Sequence, residues 1–235
     1  MASQAAGGAV VGVTPQAGDR ESELLGLARA AKGFMPDDEG MALYRAALRA
    51  GSSGPSDRNG ATFVEIGAWC GKSTIYIGAA AEQTSALLFS VDHHHGSEEN
   101  QPGWEHHDRE VVDPGTGRID TLRFWRSAVD GAALGANVVG MVGGSPEIAS
   151  RWNTPLDLCF IDGGHGEEPA WADFTGWSPH VALGGRLAIH DVFPDPAEGG
   201  RPPYELWCAA LSSGEFVEDG ECGSLRVLRR VEEAR

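Results

Sequence analysis

Residues 63–74 read FVEIGAWCGKST, an apolar run that ends in a turn with two glycines and then enters a helical segment. The run before Gly67 predicts a buried strand, and glycines let the backbone approach a ligand where a Cβ would collide. This strand, turn and helix are typical of a loop that binds a nucleotide-type cofactor. The alternative is a tight turn that binds no ligand.

The spacing of the turn argues against both common phosphate-binding loops. A Walker A loop needs four residues between its first glycine and the Gly-Lys-Ser/Thr end, but here only residues 68–70 separate Gly67 from Gly71. A dinucleotide loop needs Gly-x-Gly-x-x-Gly, and Trp69 occupies the position of its second glycine, where the pyrophosphate would lie. What remains is an acidic residue, one further residue, and Gly-x-x-x-Gly.

This remaining pattern resembles the class I S-adenosylmethionine-dependent methyltransferases. In that family the acidic residue and the loop hold the amino-acid end of the cofactor. The resemblance implies cofactor binding by Glu65, Gly67, Gly71 and Ser73. A carboxylate suits this position because the ammonium group of the cofactor is cationic.

A second apolar run ends in an acid one helix length later. Residues 87–92 read LLFSVD, and an acid at the tip of the second strand can accept hydrogen bonds from both ribose hydroxyls. Dinucleotide enzymes share this feature, so Asp92 supports an adenosine cofactor without choosing a family. The alternative is that Asp92 only caps its strand.

Two later apolar runs also end in histidine and aspartate, namely residues 156–165, LDLCFIDGGH, and residues 184–191, GGRLAIHD. Open α/β sheets bind ligands at the carboxyl ends of their strands, so these side chains are expected to converge beside the cofactor. We predict a divalent ion, Mg²⁺ or Mn²⁺, held by Asp162 and Asp191 with His190 as third ligand. The alternative is that His190 caps its strand and His165 orders a loop.

Residues 33–230 resemble the metal-dependent O-methyltransferases of the class I fold, particularly bacterial enzymes that act on sugars. The string MPDDEG at residues 35–40 is similar to the segment that precedes the core in catechol and caffeoyl-coenzyme A O-methyltransferases. The resemblance implies that Met35, together with Phe34, lines the cofactor pocket, although both residues are equally suited to anchoring the core. We also include Ser145, and Asp162 in addition to its metal role, in the predicted cofactor-binding set, and we expect a homodimer.

The segment at residues 93–120 is an insertion that must emerge at the cofactor face, because it follows Asp92 directly. Its histidine-rich start looks like that of the actinobacterial methylmannose polysaccharide 1-O-methyltransferases. Consecutive histidines cannot easily turn every ring to one ion, so a zinc site is the weaker interpretation. An aromatic face among polar groups suits carbohydrate, which predicts acceptor binding by Trp104 and His106, with Tyr204 on the other side. The alternative is a loop folded on itself around Trp104.

The fold class expected from these segments is α/β, a Rossmann-like class I methyltransferase fold. Apolar runs alternate with helical segments, which predicts a mainly parallel sheet with helices on both faces. Residues 214–218 and 224–229 alternate in the strand period around Asp219-Gly220, which predicts a C-terminal antiparallel hairpin. The five runs read as parallel strands lie near residues 62–67, 86–92, 137–142, 156–162 and 185–191.

Composition is compatible with one methyltransferase domain at residues 21–235, which includes N-terminal helices at 21–58, after a disordered leader at residues 1–20. The 34 acidic residues outnumber 18 Lys and Arg, giving a formal net charge of −16, which argues against nucleic-acid or anionic-membrane partners. The four cysteines have no paired spacing, which favours a reducing cytoplasm. No apolar segment approaches the length of a membrane span.

The predicted reaction is divalent-metal-assisted methyl transfer from S-adenosyl-L-methionine to a sugar or oligosaccharide hydroxyl, with position 1 of a methylated mannoside as the candidate. A hydroxyl is a poor nucleophile at neutral pH, so a histidine that titrates near its unperturbed pKa is expected to take the proton, and His165 is the candidate base. The alternatives are an O-methyltransferase of a natural product or catechol-like acceptor, an NAD-type oxidoreductase, and a binding module without catalysis.

Overall fold

The computed structural model describes residues 17–53, 60–104 and 106–232. The leader predicted for residues 1–20 lies outside the described residues as far as residue 16. Residues 17–20 belong to the first helix, so ordered structure begins before residue 21. Residues 54–58, the end of the predicted N-terminal helical region, also lie outside the described residues.

A seven-stranded sheet organises the chain, in the spatial order β3-β2-β1-β4-β5-β7-β6. The first five strands pair in parallel, whereas β7 runs antiparallel to both β5 and β6. The predicted fold class is therefore confirmed, including the terminal hairpin. The strands are β1 (Thr62–Ile66), β2 (Leu87–Asp92), β3 (Val138–Val142), β4 (Leu156–Ile161), β5 (Val181–Ile189), β6 (Phe216–Cys222) and β7 (Leu225–Arg230).

Helices cover both faces of this sheet, because alternate residues of each strand point to opposite sides. Phe63 and Leu158 pack into one core with the first four helices, while Val64 and Cys159 pack into a second core with the last three. The helices are α1 (Ala17–Ala30), α2 (Asp37–Ser53), α3 (Lys72–Thr84), α4 (Leu122–Gly131), α5 (Ser145–Ala149), α6 (Glu167–Trp177) and α7 (Arg201–Ser212). None of the helices within the described ranges is long and apolar enough to cross a membrane.

The turn of the C-terminal hairpin lies elsewhere than predicted. Asp219-Gly220 is part of β6, at a register irregularity, and the chain reverses instead at Gly223, whose φ is 53°. At this irregularity the Asp219 carboxylate accepts a hydrogen bond from Arg186 Nε at 2.9 Å and pairs with Arg49. A glycine at the turn supplies the left-handed conformation that other residues adopt at a cost.

Candidate active site

The glycine turn after β1 lies directly against the end of β4. Gly67 has a φ of 86°, and a Cβ placed there would come within 2.1 Å of the Asp162 carbonyl oxygen. Asp92 holds the turn in place, because its Oδ2 accepts hydrogen bonds from the backbone amides of Ala68 and Trp69, each at 2.9 Å. The turn, the tip of β2 and the tip of β4 therefore form one surface at the carboxyl edge of the sheet.

Glu65 lies beneath this turn and is fully buried. Its Oε2 accepts hydrogen bonds from Thr74 Oγ1 at 2.6 Å and Ser90 Oγ at 2.7 Å. Its Oε1 has no hydrogen-bond partner among the described residues. Burial raises the pKa of Glu65 to about 7, against the effect of the neighbouring hydroxyls. A cationic group at Oε1 would supply the missing partner.

Asp162, His165 and Asp191 converge at the ends of β4 and β5. Each offers a ligand atom, and these atoms all lie within 4.8 Å of one another. His165 Nε2 lies 3.0 Å from Asp191 Oδ2, and its Nδ1 lies 2.7 Å from Glu99 Oε1. Asp191 has a φ of 56°, a strained conformation of the kind that collects at functional sites. The predicted convergence of these three residues is therefore present in the fold.

His190 lies beside the same two aspartates, but deeper in the protein. Its Nδ1 is 3.2 Å from Asp162 Oδ1 and 3.4 Å from Asp191 Oδ1. Its Nε2 lies 2.5 Å from Glu39 Oε2, and Glu39 also accepts the backbone amide of Ser224 at 2.6 Å. His190 therefore does not simply cap its strand, because both ring nitrogens face carboxylates.

Several pKa values in this cluster depart from their usual range. Burial lowers the pKa of His165, but Asp191 and Glu99 together raise it to about 10. Burial also lowers the pKa of His190, but Asp162, Asp191 and Glu39 together raise it well above its usual range. Burial raises the pKa of Asp162, whereas at Asp191 it is outweighed by the two imidazoles, which hold that pKa well below its usual range. The carboxylates around His165 therefore move its pKa away from the unperturbed value that the sequence analysis expected.

Known proteins share this sequence pattern and this fold. A family described as a methyltransferase domain matches residues 64–192, more than half of the 235-residue chain, and this span runs from β1 to just past Asp191. The chain belongs to this methyltransferase family. The match selects methyl transfer over the hydride transfer of the NAD-type alternative.

Solved structures with the same fold come from diverse sources. The O-methyltransferase NovP superposes with a TM-score of 0.65 at 14% identity, covering 92% of this chain and 100% of NovP. The Podospora anserina methyltransferase PaMTH1, solved with SAH bound, has a TM-score of 0.59 at 12% identity, covering 91% of this chain and 88% of that one. An O-methyltransferase from Bacillus cereus in complex with SAH gives 0.57 at 15% identity, covering 94% of each chain. At these identities the likeness shows the fold.

Two residues that contact the histidines of this cluster, Glu39 and Glu99, were missing from the predicted site. Glu39 lies in the first turn of α2, where acidic residues commonly mark a helix start, so its sequence signal was ambiguous. Glu99 lies in the insertion after β2, in a short 3₁₀ turn at Glu98–Asn100. Only the tertiary fold brings either one to a histidine.

Other predicted cofactor residues have different surroundings. Met35 is buried in the core on the α2 side of the sheet. Gly71 begins α3 with a φ of 97° and faces Trp125. Ser145 Oγ accepts the indole N–H of Trp177 at 2.8 Å. Cofactor contact by Met35, Gly71 and Ser145 stays a prediction.

The predicted acceptor residues have different surroundings. Trp104 is 54% exposed, and Phe34 is 60% exposed and packs against the rings of Trp69 and His106. Tyr204 instead packs on Trp207, with the Arg201 guanidinium over its ring. Phe34 and His106 therefore form an accessible aromatic surface beside the glycine turn.

The insertion at residues 93–120 is held together by a small core of its own, in which Val111 and Ile119 pack on Cys70 from the glycine turn. His94 turns inward and bonds Thr121 Oγ1 at 2.8 Å. No group of three metal-ligating side chains involves the histidine run in the part of the chain that the structure describes. The insertion thus packs against the glycine turn, and a zinc site in its histidine run remains the weaker interpretation.

Proposed function

We propose that this methyltransferase transfers the methyl group of S-adenosyl-L-methionine to an oxygen of a small acceptor, assisted by a divalent cation, Mg²⁺ or Mn²⁺. The acceptor we favour is a sugar or oligosaccharide hydroxyl, with position 1 of a methylated mannoside as the specific candidate. The observation that carries the proposal is the convergence of two aspartates and two histidines against the turn that begins at Gly67.

The cofactor assignment is supported by the turn and the carboxylate below it. Glu65 keeps one oxygen buried without a partner among the described residues, and the cofactor ammonium would provide a charge-assisted hydrogen bond. Asp92 holds the glycine turn through Oδ2, and its Oδ1 accepts a hydrogen bond from the backbone amide of His94 at 2.6 Å. A carboxylate has about four lone-pair sites, so Asp92 retains capacity for a ribose hydroxyl.

The cation assignment is supported by the charge balance of the cluster. Four carboxylates, Glu39, Glu99, Asp162 and Asp191, surround two imidazoles. Even with both imidazoles protonated, four negative and two positive charges leave a net charge of −2. A divalent cation would neutralise this partly buried charge, which is otherwise costly to hold in a medium of low dielectric constant.

In the reaction, Asp162 and Asp191 would hold the cation, which supplies stabilisation of a developing alkoxide when bound. The turn at Gly67 would help to hold the donor near the tip of β4, and alignment of donor and acceptor can supply several kcal/mol. His165 faces the same aspartates and would take the acceptor proton. Engagement of Asp191 with a cation weakens the interaction that now raises the pKa of His165, which would bring the imidazole closer to the range of a general base.

The acceptor assignment is supported by exposed aromatic side chains. Trp104 and Phe34 expose aromatic faces next to the polar groups of the insertion, a combination that packs on sugar C–H groups and matches hydroxyls. The aromatic faces also suit a catechol-like or natural-product acceptor. A comparison of acceptors in one assay separates the two classes.

The experiment has two stages. Calorimetry with S-adenosylhomocysteine tests the cofactor, and absence of binding by the purified chain would refute the proposal. Methyl incorporation from labelled donor is then measured on mono- and oligosaccharides and on catechols, with Mg²⁺, with Mn²⁺ and with chelator. Binding of S-adenosylhomocysteine without methyl transfer to any acceptor would identify a binding module. A transfer rate that chelator leaves unchanged would exclude a role for the cation.

A further inference from the structure

Two outer carboxylates flank the cluster in a matching arrangement. Glu39 Oε2 lies 2.5 Å from His190 Nε2, and Glu99 Oε1 lies 2.7 Å from His165 Nδ1. The second nitrogen of each ring points at the same aspartate, His190 Nδ1 at Asp191 Oδ1 and His165 Nε2 at Asp191 Oδ2. Each imidazole is therefore held between an outer glutamate and Asp191, with one nitrogen directed towards that aspartate.

Such a contact decides which ring nitrogen carries hydrogen. An ionised carboxylate only accepts hydrogen bonds, so Glu39 places N–H at Nε2 of His190 and Glu99 places it at Nδ1 of His165. When a cation is bound between Asp162 and Asp191 and the rings are neutral, the inward nitrogens would present lone pairs towards it. A carboxylate behind a histidine in this way orients the ring and raises its basicity as a metal ligand.

Glu39 is built firmly into this position. It is 4% exposed, and its carboxylate accepts the backbone amide of Ser224 at 2.6 Å and is 3.2 Å from Ser224 Oγ. A Cβ on Gly223 would lie 2.0 Å from Glu39 Oε1, so the turn between β6 and β7 closes tightly around this carboxylate. The first turn of α2 and the terminal hairpin thus meet at the back of His190.

The inward nitrogen of His165 provides a second observation. Nε2 is buried and makes no hydrogen bond within the described residues, although Asp191 Oδ2 is only 3.0 Å away. Nε2 therefore lies beside any ion that Asp191 would bind, and it is the nitrogen that would take the acceptor proton.

We propose that Glu39 and Glu99 are positioning residues, Glu39 holding His190 as an ion ligand beside Asp162 and Asp191 and Glu99 holding His165 next to the ion as the base, so that the site prefers a transition-metal ion, Mn²⁺ or Co²⁺, over Mg²⁺. This inference rests on the divalent-cation part of the proposed function and narrows it. Mg²⁺ takes oxygen ligands in a strict octahedral shell, whereas imidazole nitrogen suits transition metals.

The test measures ion binding directly, by calorimetry on the full chain with MnCl₂, CoCl₂ and MgCl₂. The unmodified protein is expected to bind Co²⁺ at least about tenfold more tightly than Mg²⁺. The Glu39→Gln variant is expected to lose about 10–100-fold in affinity for Mn²⁺ and Co²⁺, with a smaller loss for Mg²⁺. The change in the ratio between ions separates positioning from a general structural defect, which would weaken all three alike.

The matched control is Glu21→Gln, which removes one charge from a partly buried glutamate that bonds Tyr44 in α2, away from the cluster. It should leave all three affinities unchanged. If Glu39→Gln lacks a cooperative thermal transition, Glu39→Asp tests the same contact, because the shorter side chain withdraws the carboxylate from His190 Nε2 while keeping its charge.

The outcomes are distinguishable. Mg²⁺ binding as tight as Co²⁺ binding, or Mn²⁺ affinity within about twofold of the unmodified protein in a folded variant, overturns this inference but leaves cation-assisted transfer intact. Absence of binding of any of the three ions overturns the inference together with the cation part of the proposed function.

Discussion

Replacing Glu65 with glutamine tests the buried carboxylate beneath the glycine turn. Burial raises the pKa of Glu65 to about 7, whereas an unfolded glutamate titrates near about 4.3. The folded protein therefore holds this proton more tightly than the unfolded chain, and ionisation destabilises the fold as pH rises from about 4.5 to 7. At about 1.4 kcal/mol per pKa unit, the total is roughly 3 kcal/mol, constant above that range.

Urea denaturation at several pH values measures this effect. The free energy of unfolding of Glu65→Gln, minus that of the unmodified protein, should increase by about 3 kcal/mol between pH 4.5 and 8. The buried amide lacks a partner among the described residues at the position of Oε1, which costs roughly 1–3 kcal/mol at every pH and moves the curve without changing its slope. Glu168→Gln, at an exposed position in α6, should give a flat difference. A flat difference for Glu65→Gln as well would refute the reasoning.

Three further substitutions test the glycine turn, the insertion at residues 93–120 and the acceptor site. Gly67→Ala should destabilise the fold by about 1–3 kcal/mol in urea denaturation, because a Cβ there meets the backbone oxygen of Asp162; an unchanged midpoint would contradict this close approach of the two backbones. Lys32→Ala removes ion pairs to Asp108 and Glu110, so amide exchange in the insertion should accelerate while stability changes by no more than about 1 kcal/mol; unaltered exchange would show that the pairs do not hold the loop. Trp104→Ala should raise KM for the acceptor and leave affinity for S-adenosylhomocysteine unchanged, and an unchanged KM would remove Trp104 from the acceptor site.

The sheet could be predicted because all five parallel strands are apolar runs, and four of them have an acidic residue or histidine at or near the end. Glu65, Asp92 and Asp162 stand at or just after strand tips, and a parallel sheet brings all such tips to one edge. The same logic placed Asp191 next to Asp162. Alternating residues also revealed the terminal hairpin, because the strand period survives in β6 and β7.

The hairpin turn and the outer carboxylates could not be predicted from local sequence. Asp219-Gly220 has the composition of a turn, but it lies within β6, where the Asp219 carboxylate bonds Arg186. Glu39 reaches His190 across 151 positions of sequence. No periodicity or spacing encodes a contact of that kind.

The pKa of His165 was mispredicted for the same reason. The sequence shows a histidine after two glycines, and nothing in this local pattern indicates which charged groups surround the ring. In the fold, Asp191 and Glu99 hold the ring between them, one from the end of β5 and the other from the insertion. Electrostatics at this site is thus set by groups that are distant in sequence, while the backbone geometry is set by groups that are near.

The central claim is that a donor-binding turn and a divalent-ion cluster share one edge of the sheet. A crystal structure of the chain with S-adenosylhomocysteine and Mn²⁺, with anomalous data to locate the ion, tests this most directly. The account predicts an ion peak bound by Asp162 and Asp191, with the cofactor amino group at Glu65. An ion bound away from both aspartates, or a cofactor bound away from Glu65, would contradict it.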